Sequence, residues 1–200
     1  MHGQAPLSPI TGVPGWESPD EQRLLLEMAQ TLSPGSVIVE IGSEFGMSAS
    51  LFRKGSSDET QVYCVDLFPN GGHDYFQGNL MEAGLFMNVF ILKGDSARMG
   101  KAWGQQRPIK LIDLLFVDGD HSYQGVKRDI EAWTPYVKRG GLILFHDTAC
   151  PTNRQPHALH HMVSKAINEW QEGQPEPDEL ITTVDSISVY RRVLLCLSKI

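Results

Sequence analysis

The sequence has few cysteines, no concentration of positive charge and no long apolar run. Its three cysteines, Cys64, Cys150 and Cys196, are too few and too irregularly spaced for a disulfide framework or a zinc-finger pattern. The formal net charge is −7 and no run of lysine or arginine stands out, which argues against a general affinity for nucleic acid. No apolar stretch reaches membrane-spanning length, and the opening residues lack the apolar segment of a secretory signal. These absences predict a cytoplasmic protein that binds neither nucleic acid nor a membrane.

What is present is sufficient for one folded domain. The chain has 200 residues, 41% of them hydrophobic, and can bury a full-sized core. Residues 1–17 contain several prolines and glycines and are expected to form an irregular arm, whereas residues 18–200 are expected to form a single domain. That domain opens with a helix start, because Ser18 can act as N-cap, Pro19 suits the first helical position and Glu21 completes a capping box.

Short apolar runs then alternate with helical segments along the chain. The runs cover residues 37–41, 62–65, 89–92, 111–117 and 142–145, and the helical segments or loops between them cover 47–54, 75–87, 97–105 and 123–138. Runs that are apolar almost throughout are typical of strands covered on both faces, so the alternation predicts a parallel sheet in a doubly wound α/β domain. After a further helical segment at 157–172, two β-rich runs flank Asp185-Ser186, a turn tight enough to predict an antiparallel hairpin. The expected sheet has seven strands, five of them parallel.

Acidic residues and glycines follow the first two predicted strands. Glu40 stands at the end of the first strand, and Gly42 and Gly46 follow it with three residues between them. In doubly wound sheets, ligands bind beyond the carboxyl ends of the strands. A carboxylate at Glu40 would repel a pyrophosphate and suits a cationic ligand, so the loop departs from the dinucleotide fingerprint. Asp66 ends the second strand, where an acid commonly accepts hydrogen bonds from ribose hydroxyls.

Three segments together resemble a known enzyme family. "VEIGSEFGMSA", "VYCVDLF" and "FVDGDHSYQGVKRDIEAWTPYVKRGGLILFHDT" are similar to motifs of the class I S-adenosylmethionine-dependent methyltransferases. They are most similar to those of small bacterial enzymes related to the catechol and caffeoyl-CoA O-methyltransferases. The resemblance covers residues 36–148 and implies a Rossmann-like methyltransferase fold.

The resemblance also implies a cofactor, S-adenosylmethionine, and residues that hold it. In the family the first-motif acid and glycines hold the methionine part of the cofactor, the second-motif acid binds ribose, and residues after the third strand frame adenine. The implied cofactor-binding residues are Glu40, Gly42, Gly46, Ser48 (near the cofactor carboxylate), Asp66 (ribose), Asp95 and Ser96 (adenine), and Asp118.

A divalent metal is a further implication. In metal-dependent relatives the ion binds the acceptor oxygens and lowers their pKa. The resemblance places Asp118 at the first ligand position, and His146 and Asp147 where the family has an Asp-Asn pair. Two carboxylates and an imidazole can bind a divalent ion, with a preference moved from magnesium towards manganese, iron or zinc. The departure leaves two alternatives open: a metal-free site with His146 as base, or a histidine hydrogen-bonded at a strand end.

His121 is the candidate general base. It lies three residues after Asp118, where the catechol-type enzymes carry a lysine that takes the acceptor proton. An imidazole has an ordinary pKa of about 6.5, which suits proton transfer near neutral pH. The alternative is that His121 only helps Asp120 and Ser122 to cap the next helix.

The sequence therefore predicts O-methylation of a small-molecule hydroxyl, with Asp118 and His121 as catalytic residues. Two alternatives remain: an NAD(P)-dependent oxidoreductase, and a catalytically silent protein that only binds the cofactor. A homodimer is also possible on this sequence. Trp16 in the arm is placed either to fold over the cofactor or to dock on a second subunit.

The remaining motifs are predicted to have structural or peripheral roles. The histidines at 157, 160 and 161 are expected on a solvated helix face or in a pocket wall rather than at a metal, and Arg191-Arg192 on an exposed strand. The segment around Pro69 is expected to form a loop over the active site, where His73 and Tyr75 are placed to touch substrate.

Overall fold

The computed structural model describes residues 5–149 and 158–193, with the side chains of residues 158 and 159 left out. Cys150, Cys196 and His157 lie outside the described residues.

Strands and helices alternate through the described part of the chain. The strands are β1 (Val37–Ile41), β2 (Gln61–Asp66), β3 (Val89–Lys93), β4 (Ile112–Val117), β5 (Val137–Phe145), β6 (Glu179–Val184) and β7 (Ile187–Arg191). The α-helices are α1 (Pro19–Gln30), α2 (Met47–Gly55), α3 (Gly72–Glu82), α4 (Ser96–Trp103), α5 (Tyr123–Trp133) and α6 (Ala158–Glu172), with short 3₁₀ turns at Pro69–Gly71 and Thr134–Tyr136.

The strands form one seven-stranded sheet in the order β3-β2-β1-β4-β5-β7-β6. Strands β1 to β5 are parallel, and β7 runs antiparallel to both β5 and β6. The predicted fold is confirmed, including the hairpin around Asp185-Ser186. Because β1 pairs with β2 on one side and β4 on the other, the strand order reverses there, and a crevice opens beyond the carboxyl ends of these strands.

The core consists of two apolar layers, one on each face of the sheet. Alternate residues of a strand point to opposite faces, so Ile38 joins the layer with α1, α2 and α3 while Val39 joins the layer with α4, α5 and α6. Both side chains are fully buried, and each such burial contributes about 1.5–3 kcal/mol to stability. No helix or strand occurs in residues 5–17, apart from a single bridge between Leu7 and Pro14, yet Val13 is buried in the first layer.

Two sequence-based expectations differ from the structure near β5 and β7. The helix predicted over residues 123–138 ends at Trp133, because a proline follows at position 135 and disfavours continuation of the helix. The expectation of an exposed Arg191-Arg192 pair is wrong for the second residue: Arg192 is buried and pairs with the buried Asp178 at 2.9 Å. A carboxylate on the segment before β6 supplies the counter-charge that makes this burial tolerable.

None of the helices that the structure describes is long and apolar enough to cross a membrane.

Candidate active site

A cleft of about 890 Å³ opens beyond the carboxyl ends of the parallel strands. It brings together most of the residues that the sequence singles out. Gly42, Asp66, Asp95, Ser96, Asp118, His121, His146 and Asp147 all line it. Glu40, Gly46 and Ser48 do not line this cleft: Glu40 lies in β1, Gly46 ends the loop that follows it, and Ser48 lies in the first turn of α2.

The two glycines of that loop have different structural roles. Gly42 has a φ of +87°, and a Cβ there would overlap the backbone oxygen of Asp118, so only glycine lets the loop pass the end of β4. Gly46 has a φ of +96°, and a Cβ there would overlap Leu80 of α3. Gly42 therefore shapes the cleft, whereas Gly46 permits the loop to pack under α3.

Glu40 is fully buried beneath the same loop. Its carboxyl accepts hydrogen bonds from the hydroxyls of Ser43, at 2.6 Å, and Ser48. Burial raises the pKa of Glu40 to about 7, although these two hydrogen bonds oppose the rise. The side chain thus braces the loop from behind and lies away from the cleft, although the sequence predicts that it binds the cofactor.

Asp66 lies at the rim of the cleft with a fixed orientation. Its two carboxylate oxygens accept hydrogen bonds from the backbone N–H groups of Glu44, at 3.0 Å, and Phe68, at 2.6 Å. A carboxylate has about four acceptor positions, so these two bonds leave capacity for the hydroxyls of a ligand.

At the far end of the cleft, Asp95 and Ser96 open α4. Asp95 accepts a hydrogen bond from the backbone of Arg98 at 2.9 Å, and the hydroxyl of Ser96 donates to Asp129. Asp129, on α5, is buried and lines the cleft, and burial raises its pKa to about 6. Sequence reasoning missed Asp129, since "KRDIEAW" looks like an ordinary helix surface and only the packing of α4 on α5 buries it.

The opposite end of the cleft contains alternating histidines and carboxylates, here called the histidine–carboxylate cluster. Its members are Glu21, Asp118, His121, His146, Asp147 and His160. Asp118 Oδ1 lies 2.9 Å from His146 Nδ1 and 3.2 Å from His121 Nε2. His121 Nδ1 in turn lies 3.0 Å from Asp147 Oδ2. His121 thus bridges the acids that follow β4 and β5.

These contacts shift the pKa values of the cluster in opposite directions. Hydrogen bonds to Asp118 and Asp147 raise the pKa of His121 to about 10. Burial disfavours a charge on His146, but the neighbouring Asp118 and Glu21 outweigh it and raise the His146 pKa well above the ordinary value. Burial likewise opposes ionisation of Asp147, but His121 and His146 outweigh it and lower the pKa to about 2. Near neutral pH, His121 and His146 are therefore imidazolium partners of these carboxylates.

This arrangement does not fit the divalent metal that the sequence suggests. In the predicted ligand set, His146 and Asp118 are hydrogen-bonded to each other, and Asp147 is paired with His121. Within residues 5–149 and 160–193, no group of three or more histidine, cysteine or acidic side chains is arranged to hold an ion.

Glu21 belongs to the cluster, although the sequence predicts for it only a role in capping α1. The predicted capping box is present, since Ser18 Oγ accepts from the Glu21 backbone and Glu21 Oε2 accepts from the Ser18 backbone. The other oxygen, Oε1, accepts two hydrogen bonds from Ser186, at 3.0 and 2.6 Å, and lies 3.5 Å from His146 Nε2. Hydrogen bonding and charge from His146 outweigh burial and lower the pKa of Glu21 to about 2.

Of the predicted histidine group on α6, only one member that the structure describes reaches the cleft. His160 Nδ1 lies 3.5 Å from Asp147 Oδ1, so the pocket-wall alternative applies to it. His161 is exposed. At the rim, Trp16 is 52% exposed and lines the cleft together with Pro69, whereas His73 and Tyr75 do not line it.

Known proteins share both the sequence pattern and the fold. A family model described as a methyltransferase domain matches residues 39–148. Protein R132 of Acanthamoeba polyphaga mimivirus, which is uncharacterised, is 53% identical over 147 residues, covering 70% of this chain and 62% of R132. The chain spans less than two thirds of the length of the curated relatives that it matches first.

Solved structures agree with the fold. An O-methyltransferase from Bacillus cereus, in complex with SAH, is 18% identical with a TM-score of 0.70, covering 88% of this chain and 83% of the other. The O-methyltransferase TomG from Streptomyces achromogenes, in complex with SAM, is 16% identical with a TM-score of 0.71, covering 90% and 82%. At such identities the likeness concerns the fold, and the family model goes further: the chain belongs to the methyltransferase domain family.

Proposed function

We propose that this protein transfers a methyl group from S-adenosylmethionine to a hydroxyl group of a small molecule. The observation that carries the proposal is a single cleft with an oriented carboxylate, Asp66, at one part of its rim and the histidine–carboxylate cluster at another. Family membership supports methyl transfer and lends nothing to the oxidoreductase alternative.

The cleft fits the cofactor in size and in charge. Its volume of about 890 Å³ lies within the range of small-molecule sites. Asp66 would accept hydrogen bonds from the ribose hydroxyls, and Asp95 and Ser96 would frame the adenine. The loop of Gly42 and Gly46, together with Ser48 at the start of α2, would hold the methionine part, with Glu40 bracing the loop from behind. S-adenosylmethionine carries positive charge, and an acid-rich cleft favours such a ligand.

When bound, the cofactor supplies an electrophilic methyl group, which passes to the acceptor oxygen as the carbon–sulfur bond breaks. The residues of the chain must hold the acceptor in line and receive its proton. His121 is the candidate for proton transfer: Asp147 fixes its Nδ1 side, and its Nε2 faces Asp118 at the cleft.

His121 can accept a proton only after it has lost its own. Its two carboxylate partners raise its pKa to about 10, so in the ligand-free protein the neutral form is scarce at pH 7. A positive ligand beside Asp118 would lower that pKa, because like charges disfavour each other. Cofactor binding would thereby prepare His121 for its role as base.

The walls of the cleft also restrict the acceptor. Arg128 is the one lysine or arginine that lines it in the part of the chain that the structure describes, and Arg128 faces Asp120 at 3.7 Å. The imidazoles of His121 and His146 are already engaged by Asp118 and Asp147, so an anionic acceptor would find no unpaired positive charge among the described residues of the lining. We therefore expect a neutral hydroxyl compound.

Calorimetric titration with S-adenosylmethionine and S-adenosylhomocysteine tests the proposal first. Micromolar binding of both compounds is expected, followed by methyl transfer to members of a panel of neutral phenols and sugars, and not to their carboxylated or phosphorylated counterparts. Absence of binding to either cofactor form would overturn the proposal. Binding without transfer to any hydroxyl compound would favour the silent cofactor-binding protein instead.

A further inference from the structure

A second, smaller cavity of about 40 Å³ lies between the N-terminal arm and the loop after β1. Residues of the arm, the loop and the cluster line it together: Gly15, Trp16, Glu17, Gly42, Ser43, Glu44, Phe45, Ser48, Asp118 and His146. Five of these residues, Trp16, Gly42, Glu44, Asp118 and His146, also line the main cleft. The volume is enough for one water-sized group.

Glu17 is the arm residue that brings a carboxyl group to this cavity. It is 9% exposed, and its Oε2 accepts a hydrogen bond from the backbone N–H of Trp16 at 3.1 Å. The arm is held close to the loop at this point, because a Cβ on Gly15 would overlap the Cβ of Met47, the first residue of α2. The position of Glu17 is thus fixed by packing.

The charge around the cavity is unbalanced. Glu17, Glu44 and Asp118 line it, and the buried Glu40 lies directly behind Ser43 and Ser48. In the described part of the chain no lysine or arginine forms an ion pair with Glu17 or Glu40, and His146, the one imidazole present, is already paired with Asp118. Burial raises the pKa of Glu17, and the charge of Asp118 raises it further. A buried carboxyl without a counter-charge is costly, and a ligand cation would relieve that cost.

We infer that Glu17 binds the α-ammonium group of the cofactor's methionine part, so that the arm completes the cofactor site. The inference rests on the proposed function. Glu17 opens on the cavity, whereas Glu40 has both oxygens engaged by serine hydroxyls beneath the loop. Glu40 then acts as a positioning residue, which holds the serines while Glu17 meets the ligand.

The test compares two ligands that differ in the group concerned. S-adenosylhomocysteine has the α-ammonium group and lacks the sulfonium charge, whereas methylthioadenosine lacks the whole amino-acid part. Glu17→Gln is expected to weaken binding of S-adenosylhomocysteine by roughly 10- to 100-fold, as loss of a hydrogen bond to a charged group does. Its affinity for methylthioadenosine is expected to stay within about twofold of wild type.

Glu27→Gln is the matched control, because it removes the same charge from an exposed position on α1 and should bind both ligands like wild type. Glu17→Asp keeps the charge and should retain more of the preference for S-adenosylhomocysteine than Glu17→Gln does.

Unchanged binding of S-adenosylhomocysteine by Glu17→Gln, or equal losses for both ligands, would overturn the inference. A wild-type protein that binds neither ligand would overturn the proposed function itself, so the two failures are distinguishable. If Glu17→Gln does not fold, equal affinity of the wild type for S-adenosylhomocysteine and its analogue without the amino group overturns the inference.

Discussion

The two ends of the cleft are built in different ways. At the end assigned to the cofactor, Asp66 and Asp95 are oriented by backbone N–H groups close to them in sequence or in the neighbouring loop. At the end assigned to the acceptor, side chains from α1, α6 and the segments after β4 and β5 orient one another. The geometry of the cofactor end is therefore determined locally, at the ends of strands, whereas the geometry of the acceptor end depends on the tertiary packing of several elements. A substitution at the first end should remove one interaction, and a substitution at the second should disturb several.

The largest effect is expected from His121→Ala. Loss of the proton acceptor should lower turnover about a hundredfold or more, while the affinity for S-adenosylhomocysteine changes little. Steady-state kinetics with an acceptor from the panel separates kcat from KM, and the exposed His161→Ala is the control. If the variant lost only affinity for the acceptor and kept its kcat, His121 would be a binding residue, and the two ends of the cleft would no longer differ in function.

A smaller effect is expected at the cofactor end from Asp66→Ala. The lost ribose hydrogen bonds should weaken cofactor binding by roughly 1.5–3 kcal/mol, with kcat at saturating cofactor nearly unchanged. Calorimetry measures the affinity, and Asp74→Ala, which removes an exposed carboxylate, is the control. Wild-type affinity in the Asp66 variant would refute the ribose assignment.

The pairing of His121 with two carboxylates at the acceptor end should also make the stability of the protein depend on pH. His121 has a folded-state pKa of about 10, raised above its ordinary value. Its contribution is therefore fully present below about pH 6.5 and is lost as the pH rises towards the folded-state value. Wild type should lose stability relative to His121→Ala over this interval, as measured by denaturant unfolding at several pH values. Parallel curves for the two proteins would contradict the pairing of His121 with Asp118 and Asp147.

The smallest effect is expected from a chelator. Since the cluster residues are paired with one another, EDTA should leave both cofactor binding and turnover unchanged within about twofold. Activity that disappears with EDTA and returns with magnesium or manganese would mean that Asp118, His146 and Asp147 rearrange around an ion.

The sequence predicts the fold and the cofactor end better than the acceptor end. Strand alternation, the capping box and the acids at strand ends are local patterns, so the sheet and the position of Asp66 in the cleft follow from short segments. The roles of Glu21 and His160 depend on how α1, the hairpin turn and α6 meet, which no local pattern encodes. The same holds for Glu17 and Arg192, whose burial depends on the arm and on Asp178. The shifted pKa of His121 follows from two distant carboxylates and changes the expected pH range of the reaction.

Glu21 connects the edge of the sheet to the centre of the cleft. The hairpin of β6 and β7 lies at the edge of the sheet, and local opening of such a terminal element normally requires little free energy. Here its turn residue Ser186 is bonded to the same carboxylate that begins α1 and faces His146. Local opening of the hairpin would therefore release both a helix cap and a buried imidazolium, so the amide hydrogens of this edge should exchange together with those at the start of α1.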